Sequence, residues 1–208
     1  MAALDPLELD TPHGTARVHL RPVEAPVAAL ALGHGAGGSV SAPDLRAVAD
    51  VALEARIAVA LVEQPYRVAG RRSPAPARQL DAAWVAVLEQ LRADALAGLD
   101  VVVGGRSSGA RVACRTAAAT GARGVLCLAF PLQPPRRRSA AEAPPSRLGE
   151  LDAVEVPVLV VQGDRDPFGL PPAAPGRTVV EVAGTHRLSS DLEGVAAAAR
   201  TWLSELLA

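Results

Sequence analysis

The run Val101-Val102-Val103-Gly104-Gly105-Arg106-Ser107-Ser108-Gly109-Ala110 constrains this chain more than any other stretch. Consecutive valines read as a buried strand. Gly105, Ser107 and Gly109 then spell G-x-S-x-G, and a helix-like run, Ala110 to Ala119, follows at once. Strand, sharp turn and helix form the context that a nucleophile elbow requires. A serine at the tip of such a turn sits in strained backbone with its hydroxyl exposed. The residues two positions to either side must be tiny, and glycine, without a Cβ, meets that demand. The rival reading is a glycine-rich strand-to-helix turn with an inert serine.

Apolar stretches recur along the rest of the chain. Residues 14–20 alternate in polarity, as an edge or antiparallel strand does. Residues 26–32, 57–62, 124–130, 157–161 and 178–182 are mainly apolar and read as further strands, the first two buried. Between them lie helical stripes: Leu45, Val48, Ala49 and Ala52; then Leu80, Trp84, Val87, Leu88 and Leu91; and last Leu192, Val195, Ala199, Trp202 and Leu206. Ser41, Ser73-Pro74 and the box Ser190-x-x-Glu193 are the expected helix starts. Residues 131–155, rich in proline and carrying Arg136-Arg137-Arg138, read as an extended excursion too short for a lid domain.

Alternating strands and helices predict an α/β fold: a mostly parallel, doubly wound sheet with helices on both faces and no lid domain, in one domain spanning 1–208. Aromatic residues are only 2 % of the chain, so alanine, valine and leucine must fill the core. Every basic residue is arginine, and the formal charge of −1 gives no reason to expect nucleic acid or an anionic membrane as partner. Cys114 and Cys127 are too few for a disulfide framework and read as small core residues. No basic segment followed by an apolar run opens the chain, and no apolar run reaches membrane-spanning length, so a cytoplasmic location is expected. No metal or other cofactor is called for, and the oligomeric state is left open.

In a parallel sheet, sites form at the carboxyl ends of the strands. Four such ends carry unusual residues: Gly33–Gly38, Gly105–Gly109, Asp164–Asp166 and Gly184–His186. A serine needs an adjacent base, and that base an orienting carboxylate. Ser107, Asp166 and His186 supply these in the order Ser…Asp…His of an α/β-hydrolase. Asp164 is the competing carboxylate, and Asp166-Pro167 could instead cap a helix. An oxyanion wants two fixed N–H donors. Ser108 should give one and Ala36 or Gly37 the other, while His34 braces their loop. Tyr66, Arg67 and Arg106 are the candidates to contact an acyl or anionic group, with structural hydrogen bonding the rival role for Arg106.

The chain resembles the small, lidless α/β-hydrolases related to dienelactone hydrolase. More narrowly it is similar to a hydrolase group that includes the α/β-hydrolase-like third subunit of the NSL histone acetyltransferase complex and its bacterial relatives. The matching stretches are Gly33-His34-Gly35-Ala36-Gly37, Pro65-Tyr66-Arg67, Gly104-Gly105-Arg106-Ser107-x-Gly109-x-Arg111, Pro131-Leu132-x-Pro134-Pro135 and Gln162-Gly163-x-Arg165-Asp166-Pro167-Phe168-Gly169. The resemblance implies a Ser-Asp-His hydrolase. It departs from the pattern at Ala110, where the group often has glycine, and at Thr185, where many α/β-hydrolases have aspartate. Dienelactone hydrolases proper use a cysteine nucleophile, and serine at 107 disfavours their substrate. The expected function is therefore hydrolysis of a small-molecule ester or thioester through an acyl-enzyme. The alternatives are a non-catalytic binding or scaffold protein of the same fold, and a peptidase or amidase.

Overall fold

The computed structural model describes residues 5–134 and 144–208. Eight strands form one sheet in the order β1-β2-β4-β3-β5-β6-β7-β8. In chain order they are β1 (Leu7–Thr11), β2 (Gly14–Arg21), β3 (Ala28–Gly33), β4 (Ile57–Glu63), β5 (Val101–Arg106), β6 (Gly124–Leu128), β7 (Val158–Gly163) and β8 (Arg177–Val182). β1 and β2 run antiparallel to their neighbours, and every pairing from β4 through β8 is parallel. The helices are α1 (Pro43–Glu54), α2 (Pro65–Val68), α3 (Ala77–Ala93), α4 (Ser108–Thr116), α5 (Leu148–Asp152) and α6 (Leu192–Leu206).

Buried strands still alternate their side chains between two cores. Ala29, Ala31, Ala58, Ala60 and Val62 face the core covered by α3 and α4, with Trp84 and Val112. Leu30, Leu32, Ile57, Val59 and Leu61 face the core covered by α1 and α6, with Leu45, Val48, Val195 and Trp202. The first core is floored by alanine, which leaves room for Trp84, whose ring comes within 3.3 Å of where a Cβ on Gly33 would lie. Trp84 is 1 % exposed, and cutting it to alanine should cost about 3–5 kcal/mol. Cys114 and Cys127 are free thiols buried in this core with their sulfurs 3.5 Å apart. The hydrogen bond between them, with burial, pushes the Cys127 thiol well above its ordinary range.

Local features differ from the sequence expectations in physical detail. β1 is an added antiparallel edge strand beyond β2. Between the strand expected at 57–62 and the next helix, Pro65–Val68 form α2. α1 starts with Pro43 at its first position behind Ala42, with no side-chain cap, so Ser41 does not serve; proline's fixed φ does that work. α3 starts after Pro76, not at Ser73-Pro74. α6 is capped by Asp191, whose carboxylate accepts the Gly194 N–H at 2.8 Å, in place of Ser190. The excursion at 131–155 contains α5, and the arginine triplet at 136–138 lies outside the described residues.

Among the described residues, no helix is long and apolar enough to cross a membrane.

Candidate active site

β5 lies in the middle of the sheet, and Ser107 follows it at φ 52° and ψ −106°, immediately before α4. That left-handed φ is a strained state for a residue bearing a side chain, as expected at the tip of an elbow. Its N–H is tied to the Leu128 carbonyl at 2.9 Å, which anchors the turn to β6. The flanking glycines are sterically required. A Cβ on Gly105 or on Gly109 would overlap the Gly33 carbonyl oxygen. Helix α4 is in turn pinned by ion pairs. Arg111 bonds Glu150 of α5 through Nε and Nη2, at 2.8 and 2.5 Å, and Arg115 bonds Asp81 of α3 at 2.9 and 2.6 Å.

Parallel pairing gathers the remaining residues at the same edge. Beyond β8, His186 points Nε2 at Ser107 Oγ, 3.0 Å away. Its Nδ1 lies 2.8 Å from Asp166 Oδ2, beyond the end of β7. An ionised carboxylate only accepts, so Nδ1 carries the proton and Nε2 is free to accept from the serine hydroxyl. Asp166 is held on both oxygens: Oδ1 accepts the Phe168 N–H at 2.9 Å, and Oδ2 also accepts from Gln162 Nε2 at 2.8 Å. The Phe168 ring packs against the His186 ring with centroids 4.4 Å apart. Asp164 turns elsewhere. Its carboxylate accepts the Gly184 N–H at 2.8 Å, which holds it below the usual carboxylate range.

β3 and β5 pair with Gly33 opposite Gly105, so the loop holding Ala36 and Gly37 borders the elbow. A Cβ on Gly35 would lie 3.6 Å from the Ser107 Cβ. Ser108 opens α4, and an amide in the first turn of a helix has no acceptor within it. Two side chains brace this loop. His34 Nδ1 donates to the Gly35 carbonyl at 2.8 Å, and its Nε2 accepts the Gln64 N–H at 3.1 Å. That pattern requires neutral imidazole, and burial pushes the His34 pKa down. The Tyr66 hydroxyl donates to the Ala36 carbonyl at 2.7 Å. Burial raises its pKa to about 12, so it remains a donor.

The three side chains expected to contact substrate each make a hydrogen bond within the protein. Tyr66 is buried under the Ala36 loop. Arg67 reaches back to the Arg71 carbonyl at 3.3 Å. Arg106 bonds Asp44 Oδ2 at 2.7 Å and the His186 carbonyl at 2.6 Å. Each binds a group distant in sequence or across a turn, and no local spacing announces that. In the sequence Gln162 stands only as the first residue of the stretch Gln162–Gly169, with no role assigned. Its full burial, with Nε2 also on the Phe130 and Gly169 carbonyls at 3.0 and 2.9 Å, is a tertiary fact. Among the described residues, no group of three or more His, Cys, Asp or Glu could hold a metal ion.

The fold agrees with the comparisons to known proteins. A family model described as an alpha/beta hydrolase domain matches residues 26–189, and the chain belongs to that family. No curated protein sequence matches it. Solved structures share the fold at low identity. Est1E from Butyrivibrio proteoclasticus is 15% identical with a TM-score of 0.77, over 98% of this chain and 99% of that one. XC6422 from Xanthomonas campestris, described as a serine hydrolase without lid, is 21% identical with a TM-score of 0.74, over 99% and 95%. Dienelactone hydrolase from Anabaena variabilis is 18% identical with a TM-score of 0.72, over 97% and 99%. The chain is thus a hydrolase of the α/β family.

Proposed function

We propose that this protein is a serine hydrolase acting on a small ester or thioester. The observation that carries this reading is the hydrogen-bonded series Ser107 Oγ, His186 Nε2, His186 Nδ1, Asp166 Oδ2, at 3.0 and 2.8 Å, with the serine on a strained turn. Ser107 Oγ attacks the carbonyl carbon as its proton passes to His186 Nε2. Asp166 holds the imidazole in the required tautomer and balances the imidazolium. The oxyanion is received by the Ser108 N–H and by the N–H of Ala36 or Gly37. Collapse of the tetrahedral intermediate breaks the bond to the leaving alkoxide or thiolate, which takes the proton from His186. Water then attacks acyl-Ser107 with His186 again as base. The carboxylic acid departs and Ser107 regains its proton.

The short stretch between β6 and β7 supports a small acyl group. Its described part contributes only the five-residue α5, whereas a lid layer needs several packed elements. The Xanthomonas relative described as lacking a lid is consistent with that choice. The test is hydrolysis of a panel of short-chain esters and acyl thioesters by the parent and by Ser107→Ala. Cleavage by the parent and loss in the variant support the reading. Equal rates in both overturn it. No cleavage of any member would favour a non-catalytic scaffold of the same fold.

A further inference from the structure

Arg106, the residue before the candidate nucleophile, joins the end of β5, the start of α1 and the loop after β8 with one guanidinium. It closes β5, its Nε donates to Asp44 Oδ2 at 2.7 Å, and its Nη2 donates to the main-chain carbonyl of His186 at 2.6 Å. Asp44 lies in the first turn of α1, and its other oxygen accepts the Leu45 N–H at 2.9 Å. The Asp44 side chain is fully enclosed and that of Arg106 is 16% exposed. On the loop after β3, Gly35 makes room for the guanidinium: a Cβ there would sit 3.1 Å from Nη1.

Stability alone does not explain this pair. Removing two charges from water costs about what their attraction returns, and an apolar pair of the same volume often does as well. Burial indeed pushes the Asp44 carboxyl above its ordinary range while Arg106 pulls the other way. What the pair offers is direction. A planar guanidinium presents donors in a fixed fork, so one edge can grip a carboxylate while another grips a carbonyl. The carbonyl it grips belongs to His186 itself. The ring of that histidine is held at Nδ1 by Asp166 and packed by Phe168, and neither contact reaches its main chain. The Arg106 bond ties that main chain to the end of β5, one residue from Ser107.

We propose that Arg106, anchored by Asp44, is a positioning residue that fixes the main chain of His186 so that Nε2 stays within reach of Ser107 Oγ. The proposal rests on the serine-hydrolase reading above. Asp44 holds the guanidinium in the one orientation that serves the carbonyl, and Arg106 makes no contact with the reacting atoms.

The experiment compares the full-length parent with Arg106→Lys, Arg106→Ala and Asp44→Asn. kcat and KM for para-nitrophenyl acetate are divided by the concentration of sites titrated with a fluorophosphonate, and Tm is recorded alongside. A lysine ammonium has three donors but on a single nitrogen, so it cannot reproduce both bonds at the separate positions of Nε and Nη2. A displacement of about 1 Å at a reacting group costs up to about a hundredfold, so Arg106→Lys should lose about ten- to a hundredfold in kcat per titrated site with KM little changed. Asp44→Asn keeps an acceptor for Nε and should lose less. Added ethylguanidinium, and not ethylammonium, should restore part of the activity of Arg106→Ala. If Arg106→Ala does not fold, Arg106→Lys decides. Parental kcat per titrated site in Arg106→Lys, whatever its Tm, overturns the positioning role and leaves the hydrolase reading standing. A parent that neither cleaves the ester nor reacts with the probe overturns both.

Discussion

The Gln162 side-chain amide donates to Asp166 Oδ2 at 2.8 Å, the same oxygen that accepts from His186 Nδ1 at 2.8 Å. Gln162 is fully buried and also faces the Phe130 and Gly169 carbonyls, so it joins the ends of β6 and β7 to the carboxylate. Replacing it by leucine would strand buried acceptors, each worth about 1–3 kcal/mol. Gln162→Leu should lower the denaturant midpoint with an unchanged slope, and should lower kcat more than it changes KM. Parental kcat in a destabilised variant would show that Gln162 serves the fold alone.

Two carboxylates two residues apart make a sharp comparison. Asp166 faces His186, whereas Asp164 is half exposed and binds the Gly184 N–H. By the triad template, Asp166→Asn should reduce kcat by about four orders of magnitude through the wrong imidazole tautomer. Asp164→Asn retains an acceptor for Gly184 and should stay close to the parent. Ester hydrolysis by the two variants, with circular dichroism to confirm folding, checks this.

His34 gives a pH dependence with a definite sign. Burial lowers its folded pKa below the ordinary 6.5, the value of the unfolded chain. The unfolded state therefore binds a proton first as pH falls. The stability contributed by neutral His34 is complete above pH 6.5, declines as pH drops below that value, and levels off beneath the folded pKa. Protonation would also oppose the Gln64 N–H that Nε2 accepts. Between pH 7 and pH 5 the parent should lose more Tm than His34→Gln. Parallel curves for the two proteins would contradict the assignment.

If no lid layer covers Ser107, as the proposed function has it, the site is open and should favour short acyl chains. Para-nitrophenyl acetate or butyrate should be cleaved with higher kcat/KM than the palmitate ester, measured below its aggregation limit. Faster cleavage of the palmitate would refute the open-site account.

What the sequence revealed, and what it hid, follows from the range of the interactions. The elbow is written locally: a valine strand, glycines at fixed offsets and a helix within a short run. Strand-end motifs at Asp166 and His186 are equally local, and parallel topology brings them together without further information. β1 escaped because Leu-Glu-Leu-Asp-Thr buries little at the sheet edge and carries almost no apolar run. α1 starts without the cap expected at Ser41 because Pro43 at its first position opens the helix, and α3 starts behind Pro76 and not at Ser73. Tyr66, Arg106 and Gln162 could be named, but not their partners. Tyr66 and Ala36 are 30 residues apart, and Arg106 and Asp44 are 62 apart. Only the folded sheet makes those neighbours.

The central claim is that Ser107 is an activated nucleophile, and covalent labelling with a fluorophosphonate tests it most directly. The adduct is located by peptide mass spectrometry in the parent, in Ser107→Ala and in Ser108→Ala. Ser108 lies one residue past the tip of the turn, and its N–H survives the substitution. The account predicts a single adduct on Ser107 in the parent, the same adduct in Ser108→Ala, and none in Ser107→Ala. An adduct on another residue, or equal labelling of the parent and Ser107→Ala, would contradict it.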